Sequence, residues 1–361
     1  LADLLIAHGV KHVVLSPGSR NAPLIISISR REDLKCHVVI DERSAAFIAL
    51  GMSIQSGSPV AIVCTSGTAL LNYAPAVAEA YYRHIPLVVI SADRPEEWID
   101  QDDSQTLWQQ DALAPYVKRS CDICARIDFP NGKWWTERMI NDVLLEAVNS
   151  RPGPVHINVR LDAPLNTQTD YETRSSRVIS MVTPPQLLPV ADVRNLANTI
   201  AAPHRVMIVA GFHEPDYKLN RSMMRLASLP NVVVMTESIS NLHSPLFINR
   251  IDSTLCRLSE TEKDSLRPDT VITLGGAIVS RHIKDWLRNI PKLSHWHIGI
   301  SHTTIDCFKH LTMRINMDAA PFLSQLASAM SRQKVVSAYS QLWHDASMRA
   351  SDLHDSYIEK A

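Results

Sequence analysis

At 361 residues, with 45% hydrophobic and 20% charged side chains, the chain has an ordinary globular composition and material for two cores. A formal net charge of -1 gives no electrostatic reason to expect nucleic acid or an acidic membrane surface as a partner. No apolar run reaches the roughly 18 residues of a membrane span, so membrane insertion is not expected. The first nine residues lack a basic n-region and read as an amphipathic helix, not a signal peptide. Six scattered cysteines (36, 64, 121, 124, 256 and 307) suit reduced thiols in a cytoplasmic protein better than a disulfide framework.

In chain order, short Val/Ile-rich runs at His12–Ser16, His37–Ile40, Val60–Thr65, Leu87–Ser91 and Val155–Val159 read as strands. Helical-period stretches lie between them, at Pro23–Arg31, Glu42–Gln55, Thr68–Arg83 and Trp134–Asn149. Apolar strands without alternation, separated by helices, predict a mainly parallel sheet covered on both faces. The pattern lapses into Asn, Thr, Ser, Arg and Pro after Asp162, a linker signature at about one domain's length. A second α/β unit follows, with strands expected at Arg205–Ala210, Val232–Met235, Thr270–Leu274 and His295–Ile298. The expected fold class is therefore α/β, two doubly wound, mainly parallel-sheet domains. Its expected divisions are 1–165, a linker at 166–189, a central domain at 190–335 and a helical tail at 336–361 with Trp343 as its largest anchor.

Four strand ends carry side chains with chemistry. Ser16-Pro17-Gly18-Ser19-Arg20 follows the first strand, and it reads either as a βα turn with a solvated Arg or as a fork for carboxylate or phosphate. Glu42 opens a helix after the second strand, as an acid favoured by the helix dipole or as a carboxylate poised for proton traffic. Thr65-Ser66-Gly67-Thr68 follows the third, where free N–H groups and hydroxyls could hold an anion or a polar heterocycle, or Ser66 or Thr68 could simply cap a helix. Asp93-Arg94-Pro95 ends the fourth, with a surface Asp-Arg pair as its plainer reading. All four converge on the C-terminal edge of one sheet, where open α/β folds place ligands.

Other constellations are missing from the sequence. There is no G-x-G-x-x-G, no P-loop, no H-E-x-x-H and no G-x-S-x-G elbow. Cys121 and Cys124 have the spacing of half a zinc site with no second pair, and read as reduced thiols in or beside a strand. No residue is assigned to a metal.

The order Ser16-Pro17-Gly18-Ser19-Arg20, Asp41-Glu42-Arg43, Thr65-Ser66-Gly67-Thr68-Ala69, Ala92-Asp93-Arg94-Pro95 resembles the pyrimidine-binding domain of thiamine-diphosphate enzymes. The Pro-Gly-Ser-Arg turn and the Ala-Asp-Arg-Pro strand end are similar, more narrowly, to the synthases of menaquinone biosynthesis that join 2-oxoglutarate to isochorismate. The resemblance implies a pyrimidine-binding domain followed by a Rossmann-like central domain, with thiamine diphosphate and Mg2+ as cofactors. By the same resemblance, Glu42 would hydrogen-bond N1′ of the aminopyrimidine as the catalytic carboxylate, while Pro17, Thr65, Ser66 and Gly67 would line the cofactor. Ser19, Arg20, Arg94, Gln105 and, in the second domain, Arg281 would bind substrate. Ser104 stands where the family often has Asn, and His282 departs from a pair of adjacent cations. The family's Gly-Asp-Gly segment, which holds Mg2+ and the diphosphate, does not occur in the sequence. The expectation is therefore a fragment lacking the C-terminal diphosphate-binding domain, inactive alone; the start without Met suggests that the natural N-terminus is also missing. A homodimer or dimer of dimers is implied because the family's site is shared between subunits. Two other classes stay open: an acetolactate-synthase-type enzyme, and a noncatalytic binding module.

Overall fold

The computed structural model describes residues 1–162, 165, 176–183, 186–201, 203–301, 304–331 and 336–358. The chain divides into two compact units, Leu1–Thr183 and Pro184–Ala361. Of the linker expected at 166–189, residues 166–175, 184 and 185 lie outside the described residues.

The first unit runs α1 (Ala2–Ala7), β1 (His12–Leu15), α2 (Ala22–Ser29), β2 (Lys35–Val38), α3 (Glu42–Ser56), β3 (Val60–Cys64), α4 (Ala69–Asn72), α5 (Ala74–Arg83), β4 (Leu87–Asp93), β5 (Ser120–Cys124), α6 (Gly132–Val148) and β6 (Val155–Arg160). Its six strands form one sheet in the order β2-β1-β3-β4-β6-β5, every neighbouring pair parallel. Val13, Leu15, Ala61, Val63, Val88 and Ile90 pack on one face with α1, α2 and α6. Val14, Val60, Ile62 and Cys64 pack on the other with α3, α4 and α5. Burial on both faces explains why the strands read as unbroken apolar runs.

Two sequence expectations shift, and the reading of the Cys121 and Cys124 pair as strand residues holds. The second strand sits two residues earlier than His37–Ile40, because the ladder to β1 ends at Val38 and Ile40 is 82% exposed. The single helix expected over Thr68–Arg83 is two, α4 and α5, since Pro75 has no N–H to continue the first and enters the second near its N-terminus. Cys121 and Cys124 both belong to β5, the first buried and the second exposed.

The second unit runs α7 (Val190–Thr199), β7 (Val206–Ala210), α8 (Tyr217–Ala227), β8 (Val232–Thr236), β9 (Phe247–Ile248), α9 (Ile251–Arg257), α10 (Glu260–Ser265), β10 (Thr270–Leu274), α11 (Arg281–Arg288), β11 (Ser294–Ile298), β12 (Leu311–Ile315), α12 (Ala319–Met330) and α13 (Tyr339–Ile358). Its sheet is again all parallel, in the order β12-β11-β10-β7-β8-β9. The edge strands β9 and β12 escape the sequence reading because one is two residues long and the other alternates exposed and buried positions. Helix α13 belongs to this unit: Tyr339, Trp343 and Ala346 are buried in one cluster with Met207, Val209 and Val271 of the sheet.

Candidate active site

In the first sheet the strand order reverses direction between β1 and β3, and the loops that leave these two strands meet at their C-terminal ends. Such a switch point opens a crevice in doubly wound sheets. Here the turn after β1 presses on the turn after β3: a Cβ built on Gly18 would lie 2.5 Å from Thr65 Cβ and 2.7 Å from its Oγ1. Asn21 holds the first turn, accepting from Gly18 N at 2.9 Å and donating to Ser16 O at 2.8 Å. The Ser16 hydroxyl, buried, accepts from Tyr73 Oη at 3.2 Å. Pro17 and Ser19 are exposed in this turn.

Glu42 is the first residue of α3, and it does not cap it. Asp41 does, accepting from Ser44 N at 3.0 Å and pairing with Arg43 at 2.8 Å. Those two partners lower the Asp41 carboxyl to about 2, the Arg43 hydrogen bond contributing most. Glu42, half-buried, has no side-chain hydrogen bond among the described residues. Its carboxylate lies toward β3, where burial pushes the Cys64 thiol up and the Glu42 charge adds to it. The Tyr73 phenol is raised by burial first, with Cys64 and Glu42 contributing in the same direction.

At the end of β3, Thr65 is 8% exposed and its Oγ1 is buried without a hydrogen-bond partner. Ser66 is buried, and Gly67 has φ +81° with the Gln105 backbone 3.3 Å from where its Cβ would stand. The amide of Gly67 is not free for an anion. It donates to Gln109 Oε1 at 2.6 Å. Thr68 precedes α4 without a side-chain capping bond, so helix capping does not explain this turn.

The end of β4 is more buried than a surface ion pair. Asp93 has 0% exposure and accepts from Asn158 Nδ2 at 2.8 Å and from Arg94 N at 2.8 Å. Burial raises its carboxyl, opposed by those hydrogen bonds. The Arg94 guanidinium turns instead to Asp103, at 2.5 Å. Arg20, from the β1 turn, donates to Leu161 O at 2.9 Å. Its guanidinium pKa is lowered, by burial first and by the charge of Arg94 second. Arg20 and Arg94 therefore share one neighbourhood.

A buried polar network beneath this rim was not foreseen from the sequence. Gln109 donates from Nε2 to Ala92 O and to Asn158 Oδ1, both at 3.0 Å. Asn158 also accepts from Ser91 Oγ at 2.6 Å and donates to Asp122 at 2.8 Å, and Asp122 pairs with Arg160 at 2.7 Å. His156, fully buried and lowered to about 4 by desolvation, meets Ser91 Oγ at 2.7 Å. Gln109 and Asn158 together tie the Thr65–Gly67 turn to the strand that carries Arg94. The only hint available was a run of polar residues inside an otherwise apolar strand, His156 and Asn158.

The first-unit candidates Pro17, Ser19, Arg20, Glu42, Thr65, Ser66, Gly67, Arg94 and Gln105 thus all follow strands β1 to β4 at one sheet edge. Gln105 is exposed, with φ +53°, in the loop that packs on Gly67. Arg281 lies in the second unit, exposed at the first position of α11, next to the capping Ser280. Among the described residues, no group of three or more His, Cys, Asp or Glu is arranged to hold a metal ion. No described helix is long and apolar enough to cross a membrane.

Comparison with known proteins finds similarity in both sequence and fold. Residues 1–113 match the family model described as thiamine pyrophosphate enzyme, N-terminal TPP binding domain. The matched segment is the first 113 of the 361 residues. Over its whole length it is 40% identical to 2-succinyl-5-enolpyruvyl-6-hydroxy-3-cyclohexene-1-carboxylate synthase of Porphyromonas gingivalis, covering 63% of that protein. It is 35% identical, over 95% of the chain and 64% of the relative, to the protein of the same name from Desulfotalea psychrophila. The chain therefore spans somewhat less than two thirds of the length of these relatives. Among solved structures, benzoylformate decarboxylase from Polynucleobacter necessarius shares the fold, with a TM-score of 0.65 at 18% identity over 93% of this chain and 61% of that one.

Proposed function

We propose that the first unit holds the pyrimidine end of thiamine diphosphate and that the whole protein uses it in menaquinone biosynthesis. The reaction is decarboxylation of 2-oxoglutarate and addition of the succinyl fragment to isochorismate, forming 2-succinyl-5-enolpyruvyl-6-hydroxy-3-cyclohexene-1-carboxylate. The observation that carries it is Glu42: a half-buried carboxylate beside the switch point, relieved of capping by Asp41 and without a hydrogen-bond partner among the described residues. The other residues fit a polar heterocycle, since Thr65 Oγ1 is buried and unpaired and the Gly18–Thr65 contact leaves no room for a side chain.

In this reading Glu42 shares a proton with N1′ of the aminopyrimidine, and Pro17, Thr65, Ser66 and Gly67 line the ring. Gly67 contributes shape, its amide being held by Gln109. The cofactor supplies the nucleophilic carbon and the electron sink for decarboxylation. Ser19, Arg20, Arg94 and Gln105 bind the substrates, with the two guanidiniums matched to carboxylates. Arg281, exposed at the first position of α11, is proposed as a carboxylate-binding residue on the resemblance alone. Mg2+ and the diphosphate would be held by residues outside the 361 of this chain. A cytoplasmic homodimer completes the reading, supported by apolar side chains around the head of α3 that face solvent: Ile40 at 82%, Phe47 at 49%, Ile48 at 42% and Leu71 at 44%.

The test is Glu42→Gln in the full-length protein, measuring carbon dioxide release from 2-oxoglutarate in the presence of isochorismate. Loss of the proton-sharing carboxylate should lower kcat by roughly 10²- to 10⁴-fold. A variant that turns over at the wild-type rate would refute the role. Turnover of pyruvate in preference to 2-oxoglutarate would move the protein to another branch of the class.

A further inference from the structure

The arginine assigned to substrate is already occupied. Arg94 Nη1 is paired with the Asp103 carboxylate, the two side chains 19% and 33% exposed. Its Nη2 reaches Ser104 Oγ at 3.5 Å, and its Nε is buried without a partner. The other Asp103 oxygen accepts from Ser104 N at 2.9 Å. Asp103 also stands close enough to Arg20 to oppose the lowering of that guanidinium by Arg94. The Asp103 carboxylate thus holds Arg94 as a substrate carboxylate would, with the Arg20 guanidinium within electrostatic range. The loop that delivers it is conformationally costly. Asp100, Asp102, Gln105 and Asp111 all have positive φ, between 53° and 59°. Side chains other than glycine enter this region at a cost, and several such residues in one loop favour a segment with a second arrangement.

We propose that Asp103 is a built-in competitor for the substrate carboxylate: it holds Arg94 until a dicarboxylate displaces it and moves its loop. This rests on the assignment of Arg94 to substrate binding. The competitor neutralises one of two adjacent guanidiniums in the ligand-free protein, so stray monoanions find less charge there. It also lowers the apparent affinity for substrate by the fraction of molecules in which Arg94 is taken. Gln105, two residues further along, would move with it, which links carboxylate capture to the residue packed on Gly67.

The experiment uses the full-length holoenzyme with Asp103→Asn, Asp103→Ser and, as the reference, Arg94→Ala. KM is measured for 2-oxoglutarate and for isochorismate. Binding of succinate, a dicarboxylate that cannot be decarboxylated by this chemistry, is read from the fluorescence of Trp108, whose indole N–H donates to Asp100 in the same loop. Trp108→Phe supplies the blank. Removing the competitor should lower KM for one substrate and the Kd of succinate by roughly three- to tenfold, in both Asp103 variants. Unchanged or raised values overturn the proposal, and a raised KM would make Asp103 a residue that merely positions Arg94. If Arg94→Ala weakens neither substrate, the assignment of Arg94 falls and takes the proposal with it. If Arg94→Ala weakens binding and the Asp103 variants do not tighten it, the competition alone is wrong.

Discussion

Gly18→Ala probes the contact on which the crevice is built. The added Cβ would stand 2.5 Å from Thr65 Cβ, 2.7 Å from Oγ1 and 2.8 Å from Cγ2. Thr65 is β-branched, 8% exposed and fixed at the end of a buried strand, so no flexible tip can swing aside. Overpacking of this kind costs about 1–3 kcal/mol. Urea unfolding of the first transition should therefore show Gly18→Ala destabilised by that amount with an unchanged m-value. The contact also predicts coupling: Thr65→Gly removes Cβ, Oγ1 and Cγ2, and the double variant should recover about 0.5–3 kcal/mol relative to the sum of the single changes. A Gly18→Ala protein as stable as wild type, or strict additivity with Thr65→Gly, would refute the close approach of the two turns.

Further outcomes follow from the network below the rim. Gln109→Leu leaves the Gly67 amide, Ala92 O and one contact to Asn158 unsatisfied, and should cost about 2–4 kcal/mol in chemical denaturation. Buried His156, lowered to about 4, stays neutral while an unfolded histidine takes up a proton near 6.5. Stability should then be full above pH 6.5 and fall as pH drops from 6.5 toward 4, with His156→Gln flattening that slope in pH-dependent melts. Asp41 acts in the same sense at lower pH: held at about 2 against an ordinary 3.8, its contribution is present above 3.8 and disappears as pH falls through 2. Asp41→Ala should remove that acid-side dependence, and a variant that keeps it would show the cap to be inert.

Much of the candidate site was legible in the sequence because its residues lie at strand ends, where a change from apolar run to polar turn is a local signal. Glu42, Thr65 to Gly67 and Arg94 follow β2, β3 and β4 directly, and a parallel sheet puts all such ends on one side. What escaped is non-local. Gln109 finds Gly67 across 42 residues and Asn158 across 49, and no spacing rule connects them. Arg94 and Asp103 are nine residues apart in a loop of irregular backbone, so neither periodicity nor turn chemistry foretells their pairing. The adjacent Asp93 looks like the obvious partner in the sequence, yet its carboxylate is bound inward to Asn158. The helix run Thr68–Arg83 misled for a simpler reason, the weight given to apolar period over Pro75.

Trp343 is at 0% exposure in the cluster under β7, β8 and β10, and it arrives more than one hundred residues after β8 has been made. During synthesis at about 5–20 residues per second, α9 and α11 reach that face first, and the part that α13 covers stays open for several seconds. The first unit has its last sheet strand by Arg160 and needs nothing from later in the chain to fill its two cores beyond the few residues that follow that strand. The two halves of the polypeptide therefore emerge with unequal exposure to aggregation and proteolysis. Chaperone contact during translation should concentrate on the stretch between β7 and α13.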